Sequence, residues 1–244
     1  MPYTAGNPKL FYQTEGDGPL VILLHGLLME GNCWAENGLV QMLSDNFCVV
    51  YPDLLGHGLS EKPSEYEDYA IDRQVDLIVE LINSLGYKRA HIISYSSGSW
   101  LALGLAQRYP EYLVSLAIGG WDCVDGLPDI SGEKLTFDMF MDFAKQTAPE
   151  LVSSIDLESE NALRCFFNTL REQLPMREVL RMLLVPVSFW AGMDDPYHSS
   201  LNHLANEYNL PFISGAGDHV SALSNLNDSV AERINRSLFY PENE

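Results

Sequence analysis

The chain has 244 residues, 46% of them apolar, and its 34 acidic against 14 basic side chains give a formal net charge of −20. That length suits one α/β domain with a full core. The charge argues against nucleic acid and anionic membrane surfaces as partners, because phosphates are repelled, and otherwise serves solubility. The cysteines, Cys33, Cys48, Cys123 and Cys165, form no C-x-x-C pair and no zinc spacing. Buried free thiols in a reducing compartment are expected. No signal peptide and no apolar run of membrane-spanning length is read, so the expected location is cytoplasmic.

Residues 10–13 read as a short strand ending in the turn Glu15-Gly16-Asp17-Gly18. Residues 20–24 form a continuous apolar run, as in strands buried on both faces of a parallel sheet. A helix is predicted over 34–43, a strand over 47–51, and a loop rich in Pro, Gly and acid over 52–68. Ile71, Val75, Ile78, Ile82 and Leu85 recur at helical spacing, with Gly86 placed as a C-terminal stop. A strand over 90–94, a helix over 97–109 and a strand over 113–118 follow. Residues 121–183 break the alternation and read as helical and irregular. A strand over 187–191, a helix near 199–207, a short strand over 211–213 and a last helix over 222–237 complete the chain. Alternating strands and helices imply a mostly parallel, doubly wound sheet with right-handed crossovers. The expected organisation is a core of residues 1–120 and 184–244, with 121–183 inserted as a small helical cap over the strand ends, where ligands bind in such sheets.

The segment His91-Ile92-Ile93-Ser94-Tyr95-Ser96-Ser97-Gly98-Ser99-Trp100 runs from an apolar strand through small residues straight into a helix. It resembles the nucleophile elbow G-x-S-x-G of the α/β-hydrolases, with Ser96 in the nucleophile place and Gly98 kept. Ser94 replaces the first glycine, and Ser99 stands where many members carry another. Leu23-Leu24-His25-Gly26-Leu27-Leu28 is similar to the family's strand and His-Gly loop. By that resemblance the backbone N–H groups of Leu27 and Ser97 form the oxyanion hole. Tyr51-Pro52-Asp53-Leu54-Leu55-Gly56-His57-Gly58-Leu59-Ser60 resembles the family's D-x-x-G-x-G-x-S loop, which makes Asp53 and His57 loop-fixing residues.

Val185-Pro186-Val187-Ser188-Phe189-Trp190-Ala191-Gly192-Met193-Asp194-Asp195 looks like the strand that delivers the family's acid, and its spacing from Gly192 selects Asp195 over Asp194. Asp122, after the preceding strand, is the alternative acid. Phe212-Ile213-Ser214-Gly215-Ala216-Gly217-Asp218-His219 is similar to the turn that brings in the histidine. The order Ser, Asp, His is the family's order. His91 and His203 are expected to be structural, and a metal at Asp194, Asp195 and His198 is not expected.

The resemblance implies a serine hydrolase for a small-molecule carboxylic ester, thioester or lactone, with no cofactor and no metal. Ser96 attacks, His219 takes its proton and Asp195 orients the imidazole. A serine nucleophile speaks against epoxide hydrolases and haloalkane dehalogenases, which use aspartate. A carbon–carbon bond hydrolase and a slow ligand-sensing protein on the same fold remain alternatives; the oligomeric state is open. Tyr95 and Trp121 are the expected substrate contacts. Five of the ten phenylalanines and four of the eight methionines fall in 121–183. They are expected to give an apolar wall for a small or medium uncharged acyl group.

Overall fold

A computed structural model describes residues 2–130, 132–153, 155–172 and 176–238. The strands are β1 (Tyr12–Glu15), β2 (Leu20–Leu24), β3 (Cys48–Pro52), β4 (Ala90–Tyr95), β5 (Leu113–Gly119), β6 (Asp129–Ile130), β7 (Glu133–Lys134), β8 (Val187–Gly192) and β9 (Phe212–Gly215). Seven of them make one sheet in the order β1-β3-β2-β4-β5-β8-β9. β1 runs antiparallel to β3, and the other pairings are parallel.

The helices are α1 (Cys33–Glu36), α2 (Leu39–Ser44), α3 (Ile71–Ser84), α4 (Ser97–Arg108), α5 (Phe137–Thr147), α6 (Pro149–Val152), α7 (Leu157–Thr169), α8 (Met176–Met182), α9 (His198–Tyr208), α10 (Ser221–Ser224) and α11 (Asp228–Ser237). β2 shows why both sheet faces are covered. Leu20, Ile22 and Leu24 join the core beneath α3, α4 and α9, while Val21 and Leu23 join the core under α1, α2, α10 and α11. The side chains alternate with the period of two of a pleated strand, and each set meets a helical layer. Among the described residues no helix is long and apolar enough to cross a membrane.

Three local differences from the sequence reading have identifiable causes. The helix expected over 34–43 is two helices, because Gly38 adopts φ +85 and Asn37 turns its side chain to the Leu39 N–H and to the Leu223 carbonyl. The helix expected over 222–237 is likewise two. Asn227 starts the second by accepting from the Val230 N–H at 3.0 Å, as an N-cap does. Within 121–183 there is a two-stranded hairpin, β6 with β7, besides the four helices α5 to α8; residues 131, 154 and 173–175 of that segment lie outside the described residues. Of the four cysteines, all free, only Cys123 is fully buried.

The segment between β5 and β8 packs down onto the core. α7 lies against the 3-10 turn Tyr66–Tyr69, and α8 lies against α4. Phe166 sits among His57, Tyr69 and Trp100, with ring centroids 5.3 to 6.3 Å away. These three aromatic neighbours therefore belong to the part of the chain before β5 rather than to the segment between β5 and β8.

Candidate active site

The site is assembled at the C-terminal ends of the parallel strands. β4 stops at Tyr95 and α4 starts at Ser97, so Ser96 alone turns the chain. Its φ is +53 and its ψ −125, a conformation that costs a non-glycine residue about 1–3 kcal/mol. The surroundings hold it there. The Ser96 N–H donates to the Gly119 carbonyl at 2.9 Å, and the Ser96 carbonyl accepts from the Ser99 N–H at 2.8 Å.

Gly98 is required by space. A Cβ there would lie 2.3 Å from the Leu24 carbonyl oxygen and 2.5 Å from that of His25, because α4 is pressed against the end of β2. The position before the turn tolerates Ser94 for the opposite reason: its hydroxyl has a place to go. Ser94 Oγ lies 3.0 Å from Ser99 Oγ and donates to the Ala117 carbonyl at 3.1 Å, while Ser99 Oγ donates to the Gly119 carbonyl at 2.8 Å. The two serines that depart from the glycine pattern thus form a buried pair stitched to β5.

The structure brings Ser96, His219 and Asp195 together. His219 Nε2 is 2.9 Å from Ser96 Oγ, and Nδ1 is 2.9 Å from Asp195 Oδ2. Ser96 and His219 are half-buried, whereas Asp195 is buried. Burial by itself raises the Asp195 pKa. The bonds from His219, the Tyr197 N–H at 2.9 Å and the Tyr95 hydroxyl at 2.8 Å outweigh it, and the carboxyl is held below its ordinary value.

The His-Gly loop abuts Ser96: a Cβ on Gly26 would lie 3.1 Å from Ser96 Cβ. The N–H groups of Leu27, in that loop, and of Ser97, at the first position of α4, make no hydrogen bond to the described residues. His25 Nε2 accepts from the Leu54 N–H at 2.9 Å, which ties this loop to the one after β3. Asp53 takes the Gly31 and Leu59 N–H groups at 2.8 and 2.7 Å, a loop-fixing arrangement.

Other expected residues stand elsewhere. Tyr95, expected at the substrate, is fully buried: its ring fills the space between His219 and Trp190 and its hydroxyl goes to Asp195. Trp121, also expected to touch substrate, is 4% exposed and packs on Tyr197, whose ring in turn meets His219. Trp121 is therefore one ring removed from the imidazole. Asp122 is used locally, accepting from the Val124 and Asp125 N–H groups at 2.8 Å. Asp194 is exposed, and His198 Nε2 pairs with Ser214 Oγ at 2.8 Å. His91 is buried, 2.8 Å from Ser115 Oγ, and burial lowers its pKa to about 4.

A cavity of about 370 Å³ adjoins the His-Gly loop. No phenylalanine or methionine of 121–183 is among its described lining residues; Phe137, Phe166 and Phe167 are buried in the core instead, and Phe143 is 63% exposed. Sequence reading missed the contributions of Tyr197 and of the cavity's own lining. The Tyr197 contact had a signal in its place two residues after Asp195.

Residues 19–121 match the model of the alpha/beta hydrolase fold family. An uncharacterized protein of Mycobacterium tuberculosis is 32% identical over 112 residues, 45% of this chain and 32% of that protein. The pimeloyl-[acyl-carrier protein] methyl ester esterase of Methylococcus capsulatus is 34% identical over 109 residues, 45% of this chain and 39% of the esterase. The alignments thus span about a third of the length of these curated relatives. The enol-lactonase from Burkholderia xenovorans LB400 superimposes with a TM-score of 0.79 at 19% identity, covering 98% of this chain and all of the lactonase chain.

Proposed function

From a chain that belongs to the α/β-hydrolase fold superfamily, we propose a serine hydrolase that cleaves a small-molecule carboxylic ester, thioester or lactone through an acyl-enzyme. The observation that carries this reading is the unbroken relay from Ser96 through His219 to Asp195, with 2.9 Å at each step. The Ser96 hydroxyl donates to Nε2, so Nδ1–H donates to the carboxylate.

In the proposed reaction Ser96 Oγ attacks the carbonyl carbon as Nε2 takes its proton. The carbonyl oxygen becomes an oxyanion, received by the N–H groups of Leu27 and Ser97. Ser97 lies at the start of α4, where the helix dipole also favours negative charge. The intermediate collapses, and the leaving oxygen or sulfur departs with the proton from Nε2. Water, activated by the same nitrogen, then attacks the acyl-enzyme; Ser96 leaves and regains its proton. Asp195 stays ionised throughout and stabilises the imidazolium.

The test is labelling with a fluorophosphonate, followed by turnover of p-nitrophenyl acetate. The expected result is one labelled peptide containing Ser96 and loss of both label and turnover in Ser96→Ala. Label on another residue, or full activity in that variant, refutes the reading. Label at Ser96 with acyl-enzyme release over hours would favour the slow ligand-sensing alternative.

A further inference from the structure

Two contacts place the hydrogen on the His25 ring. Nε2 lies 2.9 Å from the Leu54 backbone nitrogen, and a backbone N–H can only donate, so Nε2 carries no hydrogen. Burial lowers the His25 pKa to about 4, which leaves the ring neutral at pH 7 with its one N–H on Nδ1. That N–H donates to the Gly26 carbonyl at 2.8 Å. The ring is fully buried, and His57 packs against it with centroids 5.1 Å apart.

The Gly26 carbonyl belongs to the peptide that carries the Leu27 N–H. In a trans peptide the C=O and N–H bonds point opposite ways and turn together. Holding the oxygen on one edge therefore aims the N–H on the other. The Met29 N–H also donates to this oxygen, at 3.3 Å, and closes a turn over residues 26–29. Within the turn Leu28 has a φ of +64, left-handed backbone that a leucine keeps only where its surroundings over-determine it. The His25 bond is part of that hold. The same peptide begins at Gly26, where a Cβ would lie 3.6 Å from Ser96 Oγ.

We propose that His25 is a positioning residue for the oxyanion hole: its imidazole, fixed by the Leu54 N–H, pins the Gly26–Leu27 peptide so that the Leu27 N–H stays free for the oxyanion formed at Ser96. The loop after β3 thereby acts on the reaction through one backbone N–H, without touching the substrate. Giving the Leu27 N–H to an oxyanion rests on the reading of Ser96 above; the tautomer and the pinned carbonyl do not.

Two substitutions separate the two bonds. His25→Gln puts an acceptor near the former Nε2 and keeps the Leu54 bond, but offers nothing to the Gly26 carbonyl. His25→Asn puts an amide N–H near the former Nδ1 and keeps the Gly26 bond, but does not reach Leu54. With p-nitrophenyl acetate, His25→Gln is expected to lose about 10²-fold in kcat with KM within about threefold. That is the scale of one lost oxyanion donor, whose bond forms only in the transition state. His25→Asn is expected to lose less than about tenfold, although it too gives up one hydrogen bond. Equal losses of kcat in the two variants, or the larger loss in His25→Asn, overturns the proposal, since a histidine that merely packs predicts turnover following Tm. Heteronuclear NMR of the imidazole nitrogens in the wild-type chain at pH 7 needs no variant to fold: hydrogen on Nδ1 is expected, and hydrogen on Nε2 overturns the proposal. Wild-type protein that takes no fluorophosphonate at Ser96 and turns over no ester defeats the hydrolase reading, and the oxyanion role with it. Active wild type beside an equally active His25→Gln defeats the pin alone.

Discussion

Tyr95 Oη donates to Asp195 Oδ2 at 2.8 Å, the same oxygen that His219 holds through Nδ1 at 2.9 Å. The Tyr95 ring lies stacked on the His219 ring, with centroids 5.2 Å apart. The residue before Ser96 therefore contacts Asp195 and His219 at once. Removing its hydroxyl leaves Oδ2 to His219 alone, and the imidazolium of the transition state gains a stronger partner. In Tyr95→Phe the acid limb of the kcat/KM profile should move to higher pH by up to about one unit, since one unit equals about 1.4 kcal/mol, the scale of one hydrogen bond. An unmoved limb, with Tm alone lowered, would show that the hydroxyl only packs.

Asp195 should dominate its neighbours. Asp195→Asn cannot fix the imidazole tautomer and should lose about 10³–10⁴ in kcat. Asp194→Asn, an exposed change, should stay within about twofold. Asp122→Asn should also be mild, because an amide oxygen can accept the two N–H groups that Asp122 Oδ1 now takes. Parallel ester assays on the three variants decide the matter, and a crippled Asp122→Asn would relocate the acid to the end of β5.

Gly98→Ala should be severe. The added methyl meets two backbone carbonyl oxygens inside 2.6 Å, and neither the end of β2 nor the start of α4 can retreat cheaply. A cost of about 1–3 kcal/mol or more is expected, read as a lower urea midpoint together with lost turnover. Ser94→Gly, which restores the common glycine, should instead keep turnover within severalfold and lose about 1 kcal/mol of stability with its bond to the Ala117 carbonyl. A more stable Ser94→Gly would show that the serine pair contributes nothing.

Buried neutral histidines should make the fold acid-labile. Burial lowers the His25 and His57 pKa from 6.5 to about 4 and about 3, partly offset by their carbonyl contacts. The unfolded chain then binds more protons than the folded one between pH 6.5 and 3. The stability that these groups contribute is whole above pH 6.5 and falls with decreasing pH through that window. Tm measured from pH 7.5 to 4.5 should decline before most carboxylates titrate. A Tm that is flat to pH 4.5 contradicts the assignment of both rings as neutral.

Much of this site is legible from sequence because its parts are local. The strand-turn-helix around Ser96, the strand before Asp195 and the glycine-rich turn before His219 each announce themselves within a dozen residues, and the three side chains meet in the structure. What depends on distant pairing is not legible. Tyr95 reads as a residue near a nucleophile, and only the arrival of Asp195, one hundred positions later, takes its hydroxyl. His25 reads as the first letter of a His-Gly motif, and only the loop after β3 brings the Leu54 N–H to its Nε2. The phenylalanines of 121–183 read as the wall of an acyl pocket, but composition does not say that Phe166 turns into the core. The broken helices at Gly38 and Asn227 turn on one backbone angle and one cap, which apolar spacing does not report.

The strand order has a consequence for how the protein comes into being. Ser96 directly follows β4, but Asp195 and His219 follow β8 and β9, which complete the far edge of the sheet. A ribosome releases Ser96 roughly a hundred residues before Asp195 and His219, and pairing β8 onto β5 closes a long loop, a slow event in folding. During synthesis the nascent chain therefore carries Ser96 before either partner, and under the proposed serine-hydrolase reading its reactivity is expected to switch on when the last strand docks. Covalent labelling at Ser96 is in that sense a clock for the completion of the fold.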